Sequence, residues 1–196
     1  MIASIARTRG ARLTALLILD VDETLIRATD PQSDPPPPRV DFRVGPFPVM
    51  KRPHVEDFLR WCFASPLFKT AVWSAGGEDY VHGVLKNLLL PHETPDFVFT
   101  SRRCTRHWVS PDEWNATDDR FIQLKDLKKV RARGYSLDRV LALDDVAAAY
   151  RRSYGNLVRI RPFHGDDSDE ELVRVRPFLE QWFKAPSVRR IDKRGW

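Results

Sequence analysis

A chain of 196 residues suits one domain, because roughly 150 to 200 residues normally close around a single apolar core. With 42% apolar and 30% charged residues it falls outside the wholly disordered class, and two cysteines, Cys62 and Cys104, are too few for a disulfide framework or a four-ligand zinc site. The formal charge of +5 favours anionic partners, whether acidic peptides, phosphates or nucleic acid, without choosing among them.

Arg7, Arg9 and Arg12 precede the apolar run Leu13 to Leu19, a pattern that echoes a signal or transit peptide. The run is too short to span a membrane and ends at once in Asp20, Asp22 and Glu23, so it reads instead as a strand buried on both faces of a parallel sheet. That reading and the free thiols expected of two cysteines point to the cytoplasm, or to the nucleus of a eukaryote, with no membrane partner; a monomer is expected. Leu25 to Met50 holds Pro35 to Pro38 and then alternates through Val40, Phe42 and Val44 to Gly45-Pro46, which predicts a proline-rich flap and a small hairpin over about 26–50.

Pro53 suits the first position of a helix whose apolar residues are Val55, Phe58, Leu59, Cys62 and Phe63. Thr70 to Trp73 reads as a second buried strand, Ser74 to Gly77 as a turn, and Tyr80 to Leu89 as a helix with Val81, Val84, Leu85 and Leu88 inward. Phe97 to Phe99, Val140 to Leu143 and Leu157 to Ile160 are further strands, and about 101–121 is a polar insert without an assignable element. Ser168 and Glu171 carry a capping-box spacing for a last helix with Leu172, Val175, Leu179 and Trp182, which Pro177 is expected to kink or restart. Strands alternating with helices predict one α/β domain, core about 13–184, whose parallel sheet is covered on both faces and whose site lies at the C-terminal strand ends.

Chemistry concentrates at those ends. In Asp20-Val21-Asp22-Glu23-Thr24 an extended backbone turns Asp20 and Asp22 to the same side, where two carboxylates repel unless a cation or a proton intervenes. Phosphoryl transfer uses such a pair: Asp20 attacks phosphorus to give an aspartyl phosphate, and Asp22 protonates the leaving alkoxide and then activates water. An EF-hand loop is excluded because Leu25 stands where its glycine belongs and Pro31 where its glutamate belongs. Ser74, before Gly76-Gly77, can hold a phosphate oxygen, Lys125 offers a point charge to one, and Asp144-Asp145 ends an apolar run just as Asp20 does. These oxygen donors suit Mg2+ better than zinc or iron, and the five histidines show no metal-ligand spacing.

The order of these motifs resembles the haloacid dehalogenase superfamily. Within it the chain is most similar to the NLI-interacting-factor-like phosphatases, related to those acting on the C-terminal domain of RNA polymerase II. Lys51-Arg52-Pro53-His54-Val55-Glu56-Asp57-Phe58-Leu59, Trp73-Ser74-Ala75-Gly76 with Tyr80, Lys125-Asp126-Leu127 and Leu143-Asp144-Asp145 carry the likeness, which runs from about Thr14 to Trp182. The resemblance implies a Rossmann-like core with no large cap domain, a small β-hairpin insert, and hydrolysis of phosphoserine or phosphothreonine on a protein. It implies Asp20, the Asp22 carbonyl and Asp145 as magnesium ligands, with Thr24, Ser74 and Lys125 on the phosphoryl group and Asp144 behind the lysine or the metal. Ser74 stands where threonine is commoner, and Val146-Ala147 replaces a frequent Ser-Pro, which touches substrate choice more than chemistry.

Three other readings remain. A binding module of the same fold without catalysis would have lost an acid or the lysine. A phosphatase of nucleic-acid ends or small esters is suggested by the basic runs Arg102 to Arg106 and Lys125 to Arg133, though nucleic acid is not the favoured partner. A phosphoacceptor receiver domain places its paired acids at the first strand and its acceptor at a later one, the reverse of the order here.

Overall fold

The structure, a computed structural model, describes residues 14–32, 34–108 and 121–196. Its centre is β1 (Ala15–Leu19), five apolar residues with no side chain fit for water, so both neighbours and both faces must cover it. It pairs in parallel with β5 (Phe68–Trp73) on one side and β9 (Val140–Asp144) on the other. β6 (Val98–Phe99) and β10 (Leu157–Arg159) close the edges, giving the order β10-β9-β1-β5-β6. Every pairing in this sheet is parallel, so all five C-terminal ends share one rim.

Alternation along β1 divides the core. Leu17 and Leu19 face α1 (Val55–Ala64), α2 (Glu78–Leu88) and α4 (Glu171–Trp182), whereas Leu16 and Ile18 meet Leu127, Val130, Ala149 and Tyr150. The two faces are unequal: the second is covered by the four-residue α3 (Lys128–Arg131), by 3-10 turns and by Trp73, Phe97 and Phe99. Each fully buried Leu or Ile contributes about 1.5–3 kcal/mol.

The segment after β1 holds more strand than the sequence suggested. β2 (Ile26–Ala28), β3 (Phe42–Val44) and β4 (Phe47–Lys51) form an antiparallel sheet in the order β2-β4-β3. The β3–β4 hairpin is the expected one, turning at Gly45 with φ 56°, while β2 is three residues long, too short for any periodicity to show. The polar insert likewise contains a two-stranded ribbon, β7 (Thr105–Trp108) against β8 (Phe121–Leu124). The rest of that insert, 109–120, lies outside the described residues.

Helix boundaries differ in instructive ways. α1 begins at Val55 rather than Pro53, since Pro53 and His54 form a turn with His54 at φ 64° and Val55 N–H donating to Arg52 carbonyl at 3.2 Å. α2 begins at Glu78, two residues before the first apolar position, with Glu78 and Asp79 set against its positive end. The capping box of α4 does not form: Ser168 hydroxyl donates to Asp166 at 2.8 Å, and Asp169 accepts Glu171 N–H at 3.0 Å in its place. The buried Glu171 carboxylate takes Arg161 and Arg174 instead, and α4 runs through Pro177 without a restart. Among the described residues no helix is long and apolar enough to cross a membrane.

Candidate active site

Asp20 is the first residue past β1, and its N–H donates to Leu143 carbonyl at 3.0 Å, which keeps it beside the end of β9. There β9 ends in Asp144, followed by Asp145, so the parallel register brings three carboxylates from two strands to one point. Oxygens of Asp20, Asp144 and Asp145 all lie within 4.8 Å of one another. Beyond Asp20 the chain folds back tightly: Leu25 N–H donates to Val21 carbonyl at 2.8 Å, and Glu23 sits in the left-handed region at φ 53°. That turn aims Thr24 hydroxyl inward, 3.3 Å from Asp20 and 3.5 Å from Asp145.

Lys125 leaves the end of β8 and is buried, its N–H bonded to Ala149 carbonyl at 2.9 Å. Its ammonium lies 2.5 Å from Asp20 Oδ1 and 2.5 Å from Asp144 Oδ2. Burial works against that charge, but Asp144 and Asp20 outweigh it and lift the lysine well above its ordinary value, so it stays an ammonium. The other Asp144 oxygen accepts Val146 N–H at 2.9 Å.

Asp22 faces a different set of partners. Its Oδ1 accepts the Tyr80 hydroxyl at 2.5 Å and its Oδ2 the Ser74 hydroxyl at 3.3 Å, while Ser74 Oγ accepts Gly76 N–H at 2.9 Å. Burial first, then the Asp20 charge, pushes the Asp22 carboxyl up, and the same two causes in the same order raise Asp145. Asp144 also rises, by burial and by Asp20 against the pull of Lys125. Glu23 is raised to about 7 by burial and by Asp22, Asp145 and Asp20. One ammonium thus stands among five carboxyl groups, an excess that a small divalent cation relieves. The donors are all oxygen, which fits Mg2+.

All seven residues singled out in the sequence, Asp20, Asp22, Thr24, Ser74, Lys125, Asp144 and Asp145, therefore meet at one rim. The three-carboxylate group contains Asp144, which is also bonded to Lys125, and omits the Asp22 carboxylate, which is turned to Tyr80 and Ser74.

Three residues had no role assigned from sequence. Tyr80 closes over Asp22, and Glu23 adds a carboxyl at the mouth. Arg52 is the third and is 1% exposed. Its guanidinium grips Asp169 through two bonds of 2.8 and 2.7 Å and reaches Thr24 carbonyl at 3.0 Å and Arg161 carbonyl at 2.9 Å. With Phe163 N–H on Glu23 carbonyl at 2.7 Å, it ties the turn after β1 to the segment after β10. In sequence Arg52 stood only as part of the Lys51-Arg52-Pro53 stretch that carries the family likeness, with no role attached.

A five-stranded parallel sheet bearing this acid pair, hydroxyl, lysine and second acid pair at its C-terminal rim defines a haloacid-dehalogenase-like phosphatase, a phosphoric monoester hydrolase by class. Residues 15–189 match the model of the NLI interacting factor-like phosphatases, and the chain belongs to that family. Over 184 residues it is 29% identical to a putative CTD phosphatase-like protein of Invertebrate iridescent virus 3, covering 84% of this chain and 95% of the viral one. It is 28% identical to CTD nuclear envelope phosphatase 1B of Danio rerio, over 92% of this chain and 71% of that one. Other relatives are longer, and the chain spans 28% of one from Dictyostelium discoideum. The solved structure of the fission yeast RNA polymerase II CTD phosphatase Fcp1 bound to beryllium fluoride shares the fold at a TM-score of 0.52 and 19% identity, covering 94% of this chain and 59% of that one.

Proposed function

We propose that this chain removes phosphate from phosphoserine or phosphothreonine of a protein in a Mg2+-dependent reaction through an aspartyl phosphate on Asp20. The observation that carries the reading is the contrast between two acids two residues apart. Asp20 lies against its counter-charge, the Lys125 ammonium, whereas Asp22 is turned to two hydroxyls with its carboxyl raised by burial and by Asp20. Environments that separate two neighbouring acids in this way suit one to attack and the other to carry a proton.

In the first step an Asp20 oxygen forms a bond to phosphorus as the bond from phosphorus to the serine or threonine oxygen breaks, and the Asp22 proton passes to that leaving oxygen. In the second, Asp22 takes a proton from water whose oxygen attacks phosphorus, and the bond to Asp20 breaks to release phosphate. Lys125, Thr24 and Ser74 orient the phosphoryl oxygens, Asp144 steadies Lys125, and Tyr80 holds the Asp22 carboxyl in place. Asp20, Asp145 and the Asp22 carbonyl would hold Mg2+, which supplies charge neutralisation for the phosphoryl group.

The names of the viral and zebrafish relatives support a phosphoprotein substrate, and the zebrafish name supports a nuclear-envelope or nuclear setting over a purely cytoplasmic one. The deciding experiment follows phosphate release from phosphoserine peptides with and without Mg2+, together with acid quenching to trap label on the protein. Expected are Mg2+-dependent release and a hydroxylamine-sensitive label that Asp20→Asn abolishes. Turnover that survives Asp20→Asn would end the proposal.

A further inference from the structure

Two basic runs that are separate in sequence become one patch in space. The turn Ser101–Arg103 follows the C-terminal end of β6 and packs on the Ser74 turn: Ser101 N–H donates to Gly76 carbonyl at 2.9 Å, and Cys104 Sγ lies 4.0 Å from Ser74 carbonyl. Lys129, in α3 four residues after Lys125, donates to Arg103 carbonyl at 2.7 Å and Thr105 hydroxyl at 3.0 Å. The Arg103 and Arg133 guanidiniums lie over the same ring, Phe99, at 4.7 and 5.9 Å.

Cations gathered on adjoining segments raise the local positive potential and favour an anion bound among them. Two neighbouring cations are already matched, Arg102 by Glu78 at 2.8 Å and Arg152 by Asp126 at 3.1 Å, and Arg133 acts on Asp96. Arg103 and Lys129 have no carboxylate partner among the described residues.

Resting on the function proposed above, we infer that Arg103 and Lys129, flanked by Arg133, form a subsite for an acidic side chain near the phosphorylated residue of the protein substrate. The anion is a carboxylate or a second phosphate group. A nucleic-acid strand fits less well, because the Phe99 ring is already covered by guanidinium groups rather than open for base stacking.

The test compares kcat/KM for phosphoserine peptides that differ only in their flanks: alanine, glutamate or a second phosphoserine. In the wild-type chain an acidic flank is expected to raise kcat/KM about tenfold in low salt, with the gain shrinking as salt is added. In the variant Arg103→Gln/Lys129→Gln the ratio of acidic to neutral peptide should fall to about one, a ratio that cancels any general loss of activity. Comparing the glutamate and phosphoserine arms tells which anion is preferred.

Equal use of all flanks by the wild type, or an acidic preference kept by the double variant, overturns the inference. So does single-stranded RNA that binds through Arg103 and Lys129 when the peptides show no flank effect. Phosphate release from the neutral peptide reports separately on the function itself. Should that release fail, fluorescence anisotropy of the same peptides on Asp20→Asn protein, with and without the two glutamines, still decides the subsite.

Discussion

At the scale of single residues, the strongest expectation concerns Asp22, the proton carrier proposed above. Asp22→Asn keeps the shape and the two hydroxyl contacts but removes the proton, so turnover of phosphoserine peptide should fall about 10²–10⁴-fold. An aryl phosphate, whose leaving group needs no proton, should still label Asp20, and acid-quench trapping would show that label persisting. Tyr80→Phe tests the same geometry from the other side: loss of its 2.5 Å bond to Asp22 should lower kcat about tenfold or more with KM little changed, read by steady-state kinetics. The seven residues at the rim were legible in sequence because each ends an apolar run or sits within a few residues of one. Tyr80 and Arg52 stood in the motifs that carry the resemblance, but their contacts were not legible, because their partners Asp22 and Asp169 stand 58 and 117 positions away, a separation no local pattern records.

Elements show where local rules gave way to packing. The sequence correctly read β1, β5 and β9 because strands buried on both faces are continuous apolar runs, whereas β2 and the β7–β8 ribbon are short and half exposed and carry no such signal. Pro177 was expected to kink or restart α4, yet one helix runs from Glu171 to Trp182 with Leu172, Val175, Leu179 and Trp182 buried along it. Pro177→Ala restores an N–H in the helix interior and should stabilise the chain by about 1–3 kcal/mol, seen as a higher denaturation midpoint at unchanged slope. The opposite sign is expected at Arg52. Arg52→Met strands the mostly buried Asp169 carboxylate and two carbonyls, and should cost about 3–5 kcal/mol in urea denaturation. Adding Asp169→Leu should return part of that loss, since the stranded charge then goes too.

The whole molecule couples its fold to its site through charge. The chain carries +5 overall, but its sheet rim gathers the carboxyl groups of Asp20, Asp22, Glu23, Asp144 and Asp145 around Lys125, a crowd of acids on a positive protein. The raised carboxyls of Asp22 and Asp145 record stability lost as pH rises and they ionise, because the folded state holds their protons more tightly than the unfolded chain does. A cation bound at the rim should reverse that loss. Thermal unfolding at neutral pH should therefore show the midpoint rising with Mg2+, by about 2.7 kcal/mol of stability at one hundred times the dissociation constant. Asp145→Asn separates the two contributions. Without metal it relieves repulsion and should unfold at a slightly higher temperature than the wild type; with saturating Mg2+ the order should invert, since the wild type keeps the ligand and the variant does not. Curves that fail to cross would mean that the carboxylates of Asp20 and Asp145 do not share one ion.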